Sequence, residues 1–125
     1  MTECTFNMKT LDLRCVGHAS DNDDDKGVCA ALTSLMLTLA FDIEEASDMC
    51  EEKEIKIASG NYHIRVKPFE ETREQIEFLF TAFVNGIYML SEDPKLKQHI
   101  TLTVLNEDED NTDISKSSLE TDSEI

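Results

Sequence analysis

Two stretches of the chain repeat their apolar residues every three or four positions, as the buried face of a helix does. The first runs from Val28 to about Ser47. The second opens on Glu70 and continues to about Ser91, with Pro94 just beyond its end. Its acidic first turn suits the positive end of a helix dipole. The pattern therefore predicts two amphipathic helices.

Three other stretches alternate apolar and polar residues, which is typical of half-buried strands. Residues 4–16 alternate loosely around a bend near Lys9, and this predicts a strand or a short hairpin. Residues 54–58 and 62–66 flank a turn that contains Gly60, which predicts a hairpin. A last strand is predicted over residues 99–105. We therefore expect an α+β fold, with both helices packed on one face of a four- to five-stranded mixed or antiparallel sheet.

Charge and composition divide the chain into a domain over residues 1–105 and an acidic tail over residues 106–125. The tail holds eight acidic residues and one base, Lys116, so it supplies −7 of the total net charge of −16. Its low apolar content predicts disorder. The body keeps a charge of −9, which argues against nucleic acid as a partner and favours a basic protein. Acidity that serves only solubility is the alternative.

The rest of the composition restricts the setting of the protein. No apolar run is long enough to span a membrane, and the N-terminus lacks a signal-peptide pattern. We expect a cytoplasmic protein without a membrane partner. The four cysteines show no CxxC spacing, so reduced thiols are expected rather than disulfides or a metal site. No glycine-rich phosphate loop is present, and no cofactor is expected.

A histidine and a cysteine flank the polar loop between the first predicted strand and the first predicted helix. His18 follows Gly17 at the strand end, and Cys29 opens the predicted helix, where the helix dipole favours a thiolate. An imidazole beside a thiol acts as a base or stabilises the ion pair. The small neighbours Ala30 and Ala31 leave room around the sulfur. A buried structural thiol is nevertheless the commoner role for cysteine in such a place, so residues alone leave both readings open.

The acidic residues of this loop act against a thiolate, because nearby negative charge raises the pKa of a thiol. Acids at alternate positions from Asp21 to Asp25 begin like a calcium loop, but Lys26 stands where that loop requires glycine, so an EF-hand is rejected. Either the loop moves away when substrate binds, or one acid orients His18. Asp25 is the best candidate for that orienting acid.

Two short motifs resemble those of the ribosomal-processing cysteine protease family, Prp. They are Gly-His-Ala at residues 17–19 and Val-Cys-Ala-Ala-Leu-Thr at residues 28–33, joined by a variable loop. The likeness covers roughly residues 5–105. It implies a cytosolic, homodimeric endopeptidase with an α+β fold, from a bacterium or a phage. Bacterial members remove a short N-terminal extension from a large-subunit ribosomal protein, and phage relatives process virion proteins.

The resemblance also implies roles for individual residues. His18 and Cys29 would form the catalytic dyad. Thr33 stands where the family commonly has serine and keeps the hydroxyl, so it would support the site. Lys26 stands where the family usually has aspartate, and Asp25 is the nearest acid. The alternative function is a catalytically silent, acidic binding protein on the same scaffold, which recruits a basic ribosomal or capsid protein.

Overall fold

The computed structural model describes residues 1–108, which form five strands and two long helices. Single 3₁₀ turns over residues 47–49 and 70–72 precede the third strand and the second helix. The elements in chain order are β1 (Thr2–Asn7), β2 (Asp12–Gly17), α1 (Asp23–Glu45), β3 (Cys50–Ala58), β4 (Asn61–Pro68), α2 (Arg73–Glu92) and β5 (Ile100–Leu105).

The five strands form one mixed sheet in the order β3-β4-β2-β1-β5. Strands β1 and β2 form an antiparallel hairpin, and so do β3 and β4. The two hairpins join through the antiparallel pair β2–β4. Strand β5 lies parallel to β1, because α2 crosses the sheet before the chain returns. The predicted α+β class, the two hairpins and the mixed sheet are confirmed.

Both helices cover the same face of the sheet and leave the other face to solvent. Strand β4 shows the alternation that this requires: Tyr62, Ile64 and Val66 are buried, whereas Arg65 and Lys67 are exposed. The prediction that both helices pack on one face is confirmed.

The core between the helices and the sheet is closely packed. The ring of Phe80 in α2 stacks on that of Phe6 in β1, with ring centroids 5.7 Å apart. The helices approach each other where Gly86 of α2 faces Leu35 of α1. A methyl group placed on Gly86 would lie 3.0 Å from Cδ2 of Leu35, so the small residue permits the close approach.

Helix α1 begins at Asp23, five residues before the predicted start at Val28, so that prediction is wrong. The reason is a local cap. The side-chain oxygen of Asn22 accepts hydrogen bonds from the amides of Asp24 (2.8 Å) and Asp25 (3.2 Å). Acidic residues in the first turn suit the helix dipole as well. The predicted long loop is therefore reduced to residues 19–22.

One further boundary, the start of the third strand, differs from the expectations. Strand β3 begins at Cys50 rather than at residue 54, and its charged first half lies on an edge of the sheet. Strand β5 ends at Leu105, where the domain was predicted to end. The amide of Glu107 then donates to the side chain of Asn7 (3.3 Å). The rest of the predicted tail, residues 109–125, lies outside the described residues, so its disorder stays a prediction.

Helix α1 is long and apolar enough to cross a membrane, judged by length and composition alone. In the fold it packs on α2 and the sheet. Core helices of soluble proteins meet the same criteria, so this is weak evidence for a membrane span. The absence of a membrane partner stays a prediction. The buried residues of α1 are Asp25, Val28, Leu32, Met36, Leu39 and Ile43.

Candidate active site

The predicted site residues lie at one end of the strands, on the side of the sheet where its second strand ends. We call this region the site edge. Strands β2 and β3 end there, β4 begins there with Asn61, and α1 begins there with Asp23. The amide of Gly17, the last residue of β2, donates to the carbonyl of Gly60 in the β3–β4 turn (3.0 Å). Gly17 has a φ of +148° and lies so close to Met1 and Thr2 that a side chain would collide with their backbone.

His18 is exposed, and its ring packs on Gly60. A methyl group placed on Gly60 would lie 2.2 to 2.6 Å from three ring atoms of His18, Cε1, Nε2 and Nδ1. Real methyl carbons essentially never approach so closely, so the imidazole occupies the space that a side chain at residue 60 would need. Gly60 is itself buried and has a φ of +74°.

Cys29 is half-buried on α1 and lies in the second turn of the helix, because α1 begins at Asp23. The effect of the helix dipole falls off within the first turn, so its contribution to a thiolate at Cys29 is smaller than the sequence predicts. Within residues 1–108, no hydrogen bond joins the Cys29 thiol to the ring of His18. Catalytic hydrogen bonds are often long in structures without substrate.

Thr33 links the turn that carries Cys29 to the sheet. Its hydroxyl donates to the carbonyl of Cys29 (2.8 Å) and lies 2.5 Å from the hydroxyl of Tyr62 in β4. Tyr62 is only 5% exposed, so this contact is shielded from water. Thr33 thus lies between Cys29 and the sheet, and its supporting role stays a prediction.

Asp25 is buried in α1 and holds the chain next to His18. Its carboxylate accepts hydrogen bonds from the amide of Ser20 (2.7 Å) and from the N-terminal ammonium of Met1 (3.2 Å to each oxygen). Nδ1 of His99 lies 3.9 Å away. The Ser20 hydrogen bond, aided by the ammonium, lowers the pKa of the Asp25 carboxyl although burial opposes this.

The orienting role that the sequence suggests for Asp25 therefore takes a different form. Within residues 1–108, no hydrogen bond joins Asp25 to the ring of His18. The Met1 ammonium that binds Asp25 also donates to the carbonyl of His18 (3.3 Å). Asp25 thus acts on the backbone around His18 rather than on its imidazole.

The other three cysteines occupy different surroundings from Cys29. Cys4 and Cys15 are cross-strand neighbours in the core, and a hydrogen bond to Cys4, together with burial, raises the pKa of Cys15. Cys50 is half-buried, its thiol donates to the carbonyl of Ala46 (3.4 Å), and burial raises its pKa. In the part of the chain that the structure describes, no cluster of three potential ligands could hold a metal ion.

Two residues of the site edge escaped the sequence analysis. Gly60 was recognised only as a turn residue, and Tyr62 only as a strand residue. Their contacts with His18 and Thr33 join distant parts of the chain, so no local sequence pattern predicts these contacts. The one available signal is the glycine in the turn, since a positive φ there can also serve a close approach.

The fold and the site edge define a two-layer α+β domain with a histidine and a cysteine on neighbouring elements. No protein-family model and no curated protein matches the chain. Solved structures do match. SMU.848 from Streptococcus mutans is similar with 24% identity and a TM-score of 0.63, over 85% of this chain and 96% of that one.

Two structures of the essential ribosomal processing protease Prp from S. aureus are also similar. The complex with a substrate peptide has 17% identity and a TM-score of 0.63, over 83% of this chain and 99% of that one. The complex with a covalently linked product peptide has 19% identity and a TM-score of 0.59, over 82% and 96%. The resemblance to Prp inferred from the sequence is thereby confirmed for the fold.

Proposed function

We propose that this protein is a cysteine endopeptidase in which His18 and Cys29 form the catalytic dyad. The observation that carries the proposal is the shared attachment of both residues to one hairpin. The ring of His18 packs on Gly60, and the Cys29 turn is tied through Thr33 to Tyr62. The similarity of the whole fold to the Prp protease supports the same reading.

In the proposed reaction, the imidazole of His18 takes the proton of the Cys29 thiol, and the thiolate attacks the scissile carbonyl carbon. A carbon–sulfur bond forms, and the carbonyl oxygen takes the negative charge. When the intermediate collapses, the carbon–nitrogen bond breaks and His18 gives its proton to the leaving amine. Water then hydrolyses the thioester, which releases the acid product and restores the thiol.

The helix start is not a ready source of donors for the oxyanion in this conformation. The amides of Asp24 and Asp25 are bonded to the side chain of Asn22, and the amide of Lys26 is bonded to its carbonyl (3.0 Å). The proposed reaction therefore needs either other donors or a rearranged first turn when substrate is bound.

The proposed substrate is a basic protein precursor, either a large-subunit ribosomal protein with a short N-terminal extension or a virion protein. The S. aureus Prp structure with a substrate peptide supports a peptide as the ligand of this fold. The charge of −9 on the body of this chain favours a basic partner. We place the reaction in the cytoplasm, where the four thiols stay reduced.

We also propose a homodimer. Large apolar side chains are exposed on both helices, and such surfaces mark interaction sites. Phe41 and Leu37 of α1 are 64% and 51% exposed, and Phe78 and Met89 of α2 are 75% and 68% exposed. Sedimentation velocity of the wild-type protein and a Phe41→Glu variant tests this: a dimer that the variant weakens supports it, and a wild-type monomer contradicts it.

The proposed function is tested by incubating the protein with an N-terminally extended large-subunit ribosomal protein and measuring the product mass. We expect a single cut that removes the extension. Cys29→Ala should abolish the cut and keep the fold. Cys50→Ala is the matched control, because Cys50 is also half-buried but lies at the opposite end of β3. Undiminished cleavage by Cys29→Ala would contradict the proposal.

A silent binding protein on the same scaffold is the second candidate. The acidic body favours it, because the negative charge would attract a basic protein without any cleavage. In the same experiment this candidate predicts that the basic protein binds the chain but keeps its full mass. Binding that weakens with rising salt would then identify the acidic surface as the recruiting element.

A further inference from the structure

The β3–β4 hairpin contacts both His18 and the turn of α1 that carries Cys29. We call the last residue of its turn, Gly60, together with the first two residues of β4, Asn61 and Tyr62, the tip of the hairpin. Gly60 contacts the ring of His18, and the Tyr62 side chain reaches α1 on the covered face of the sheet. Asn61, between them, pairs with Val16 of β2. A single short segment, anchored in the sheet, thus contacts both elements that carry the proposed dyad.

The contact with His18 depends on the absence of a side chain at residue 60. Three atoms of the His18 ring lie at similar, short distances from the position of a methyl group there, 2.2 to 2.6 Å, so the ring lies across Gly60 with its face toward it. The hydrogen bond from the Gly17 amide to the Gly60 carbonyl (3.0 Å) fixes the backbone that leads into His18. Gly60 therefore restricts both the ring and its backbone.

The contact with the Cys29 turn has a defined direction. Thr33 has one hydroxyl proton, and it donates that proton to the carbonyl of Cys29 (2.8 Å). In the contact of 2.5 Å between the two hydroxyls, the proton must then come from Tyr62. The result is a chain of two hydrogen bonds from the sheet to the backbone of Cys29. Because Tyr62 is 5% exposed, water competes little for it.

We propose that the tip of the β3–β4 hairpin is the positioning element of the site: Gly60 sets the ring of His18, and Tyr62 sets the Cys29 turn through Thr33. The hairpin holds the two residues on a common support, so the loop over residues 19–22 does not have to fix their separation. That the hairpin tip positions His18 and Cys29 for catalysis rests on the proposed function. The contacts of Gly60 and Tyr62 can be tested without measuring cleavage.

The first test is a double-mutant cycle for Gly60 and His18. Gly60→Ala is measured by urea unfolding in the wild type and in the His18→Ala protein. We expect a loss in the unfolding midpoint that is clearly larger in the wild type, because the clash with the ring is absent from His18→Ala, while the cost of a positive φ remains in both. Equal losses in the two backgrounds would overturn the assignment of Gly60.

Gly27→Ala is the matched control for this cycle. Gly27 lies in α1, and a methyl group placed on it meets no atom within 4 Å. Its substitution should raise the midpoint slightly by helix propensity and by the same amount in both backgrounds. The NMR chemical shifts of the His18 ring give a readout that simple destabilisation does not move: Gly60→Ala should change them, because it displaces the ring from residue 60, and Gly27→Ala should not.

The second test removes the Tyr62 hydroxyl. Tyr62→Phe should slow the alkylation of Cys29 near neutral pH by about 2- to 10-fold, the value of one hydrogen bond, and should change the pH midpoint of the rate. Tyr88→Phe is the matched control, because Tyr88 is 51% exposed on α2. Thr33→Val should reproduce the Tyr62→Phe profile, and Thr33→Ser should retain the wild-type profile.

A Tyr62→Phe profile identical to that of the wild type would overturn the assignment of Tyr62. The two proposals also fail in different ways. If the wild type does not cleave any extended protein but the cycle and the alkylation profiles behave as expected, the proposed function fails and the positioning element stands. If cleavage depends on Cys29 but the cycle shows no coupling, the positioning element fails and the function stands.

Discussion

The core and the site edge place the same residue type in opposite circumstances. Cys4 and Cys15 face each other across β1 and β2, are 1% and 0% exposed, and share a hydrogen bond that raises the pKa of Cys15. Cys29 is half-buried in the second turn of α1, at the edge where β2 ends. A thiolate is the reactive form of cysteine, so burial and the raised pKa of Cys15 leave the core pair inert, whereas the thiol of Cys29 is partly open to solvent.

The two regions also differ in what holds them together. Apolar packing holds the core, as in the stacked rings of Phe6 and Phe80. Directional polar contacts hold the site edge, such as the hydrogen bond from Tyr62 to Thr33 and that from Ser20 to Asp25. Substitutions in the core should therefore cost the most free energy of unfolding, whereas those at the site edge should cost less and should also change reactivity.

The largest effect on stability is expected in the core. Phe80→Ala should cost about 3–5 kcal/mol, because it removes a fully buried ring and leaves a cavity. Gln75→Ala, earlier in the same helix, should stay within about 0.5 kcal/mol, because Gln75 is exposed. Chemical denaturation of both variants measures the difference. Similar losses would show that the two faces of α2 are assigned wrongly.

A pair of cysteine substitutions sharpens the comparison directly. Cys15→Ala should cost about 1 kcal/mol or more, because Cys15 is fully buried against Cys4. Cys29→Ala should change the free energy of unfolding by less than about 0.5 kcal/mol, because Cys29 lies partly open to solvent at the site edge. A cost at Cys29 that equals the cost at Cys15 would identify Cys29 as a structural thiol.

A smaller, pH-dependent effect is expected for Asp25. Its carboxyl has a lowered pKa in the folded protein, so its ionised form stabilises the fold above the pKa of the unfolded chain, and this stabilisation is lost as pH falls through the lowered value. Asp25→Asn should therefore lower the melting temperature at neutral pH, and the gap to the wild type should close in acid.

Asp23→Asn is the control for this prediction, because Asp23 begins the same helix but is exposed. Asp23→Asn should lower the melting temperature by less than Asp25→Asn does, and its gap to the wild type should change less with pH. A gap for Asp25→Asn that stays constant from neutral pH into acid would contradict an ionised carboxylate bound to the Ser20 amide.

The sequence predicted those parts of the fold that have a local period. Apolar spacing located both helices, and the glycine at residue 60 located the β3–β4 turn. The start of α1 was missed although its signal was present, since Asn22 followed by acidic residues is a helix cap, and this stretch was interpreted as a loop. The order of the strands could not be predicted, because pairs such as β1–β5 join the two ends of the domain.

The sequence indicated candidate residues for the site but not their arrangement, and the roles of these residues stay predictions. His18, Cys29 and Thr33 were found through a motif, and the structure brings Thr33 beside Cys29. Gly60 and Tyr62 were missed because their contacts depend on how β4 pairs with β2. Asp25 was found, but it binds the backbone next to His18 instead of the ring.

The most direct test of the central claim is a map of thiol reactivity in the folded protein. The wild type and His18→Ala are treated with limiting iodoacetamide near pH 7, and the modified cysteines are identified by mass spectrometry. We predict that Cys29 reacts first, that the Cys4–Cys15 pair is protected, and that His18→Ala slows the alkylation of Cys29 severalfold, because no imidazole then promotes the thiolate. Labelling of Cys29 no faster than that of Cys50, and unchanged by His18→Ala, would contradict the proposed dyad.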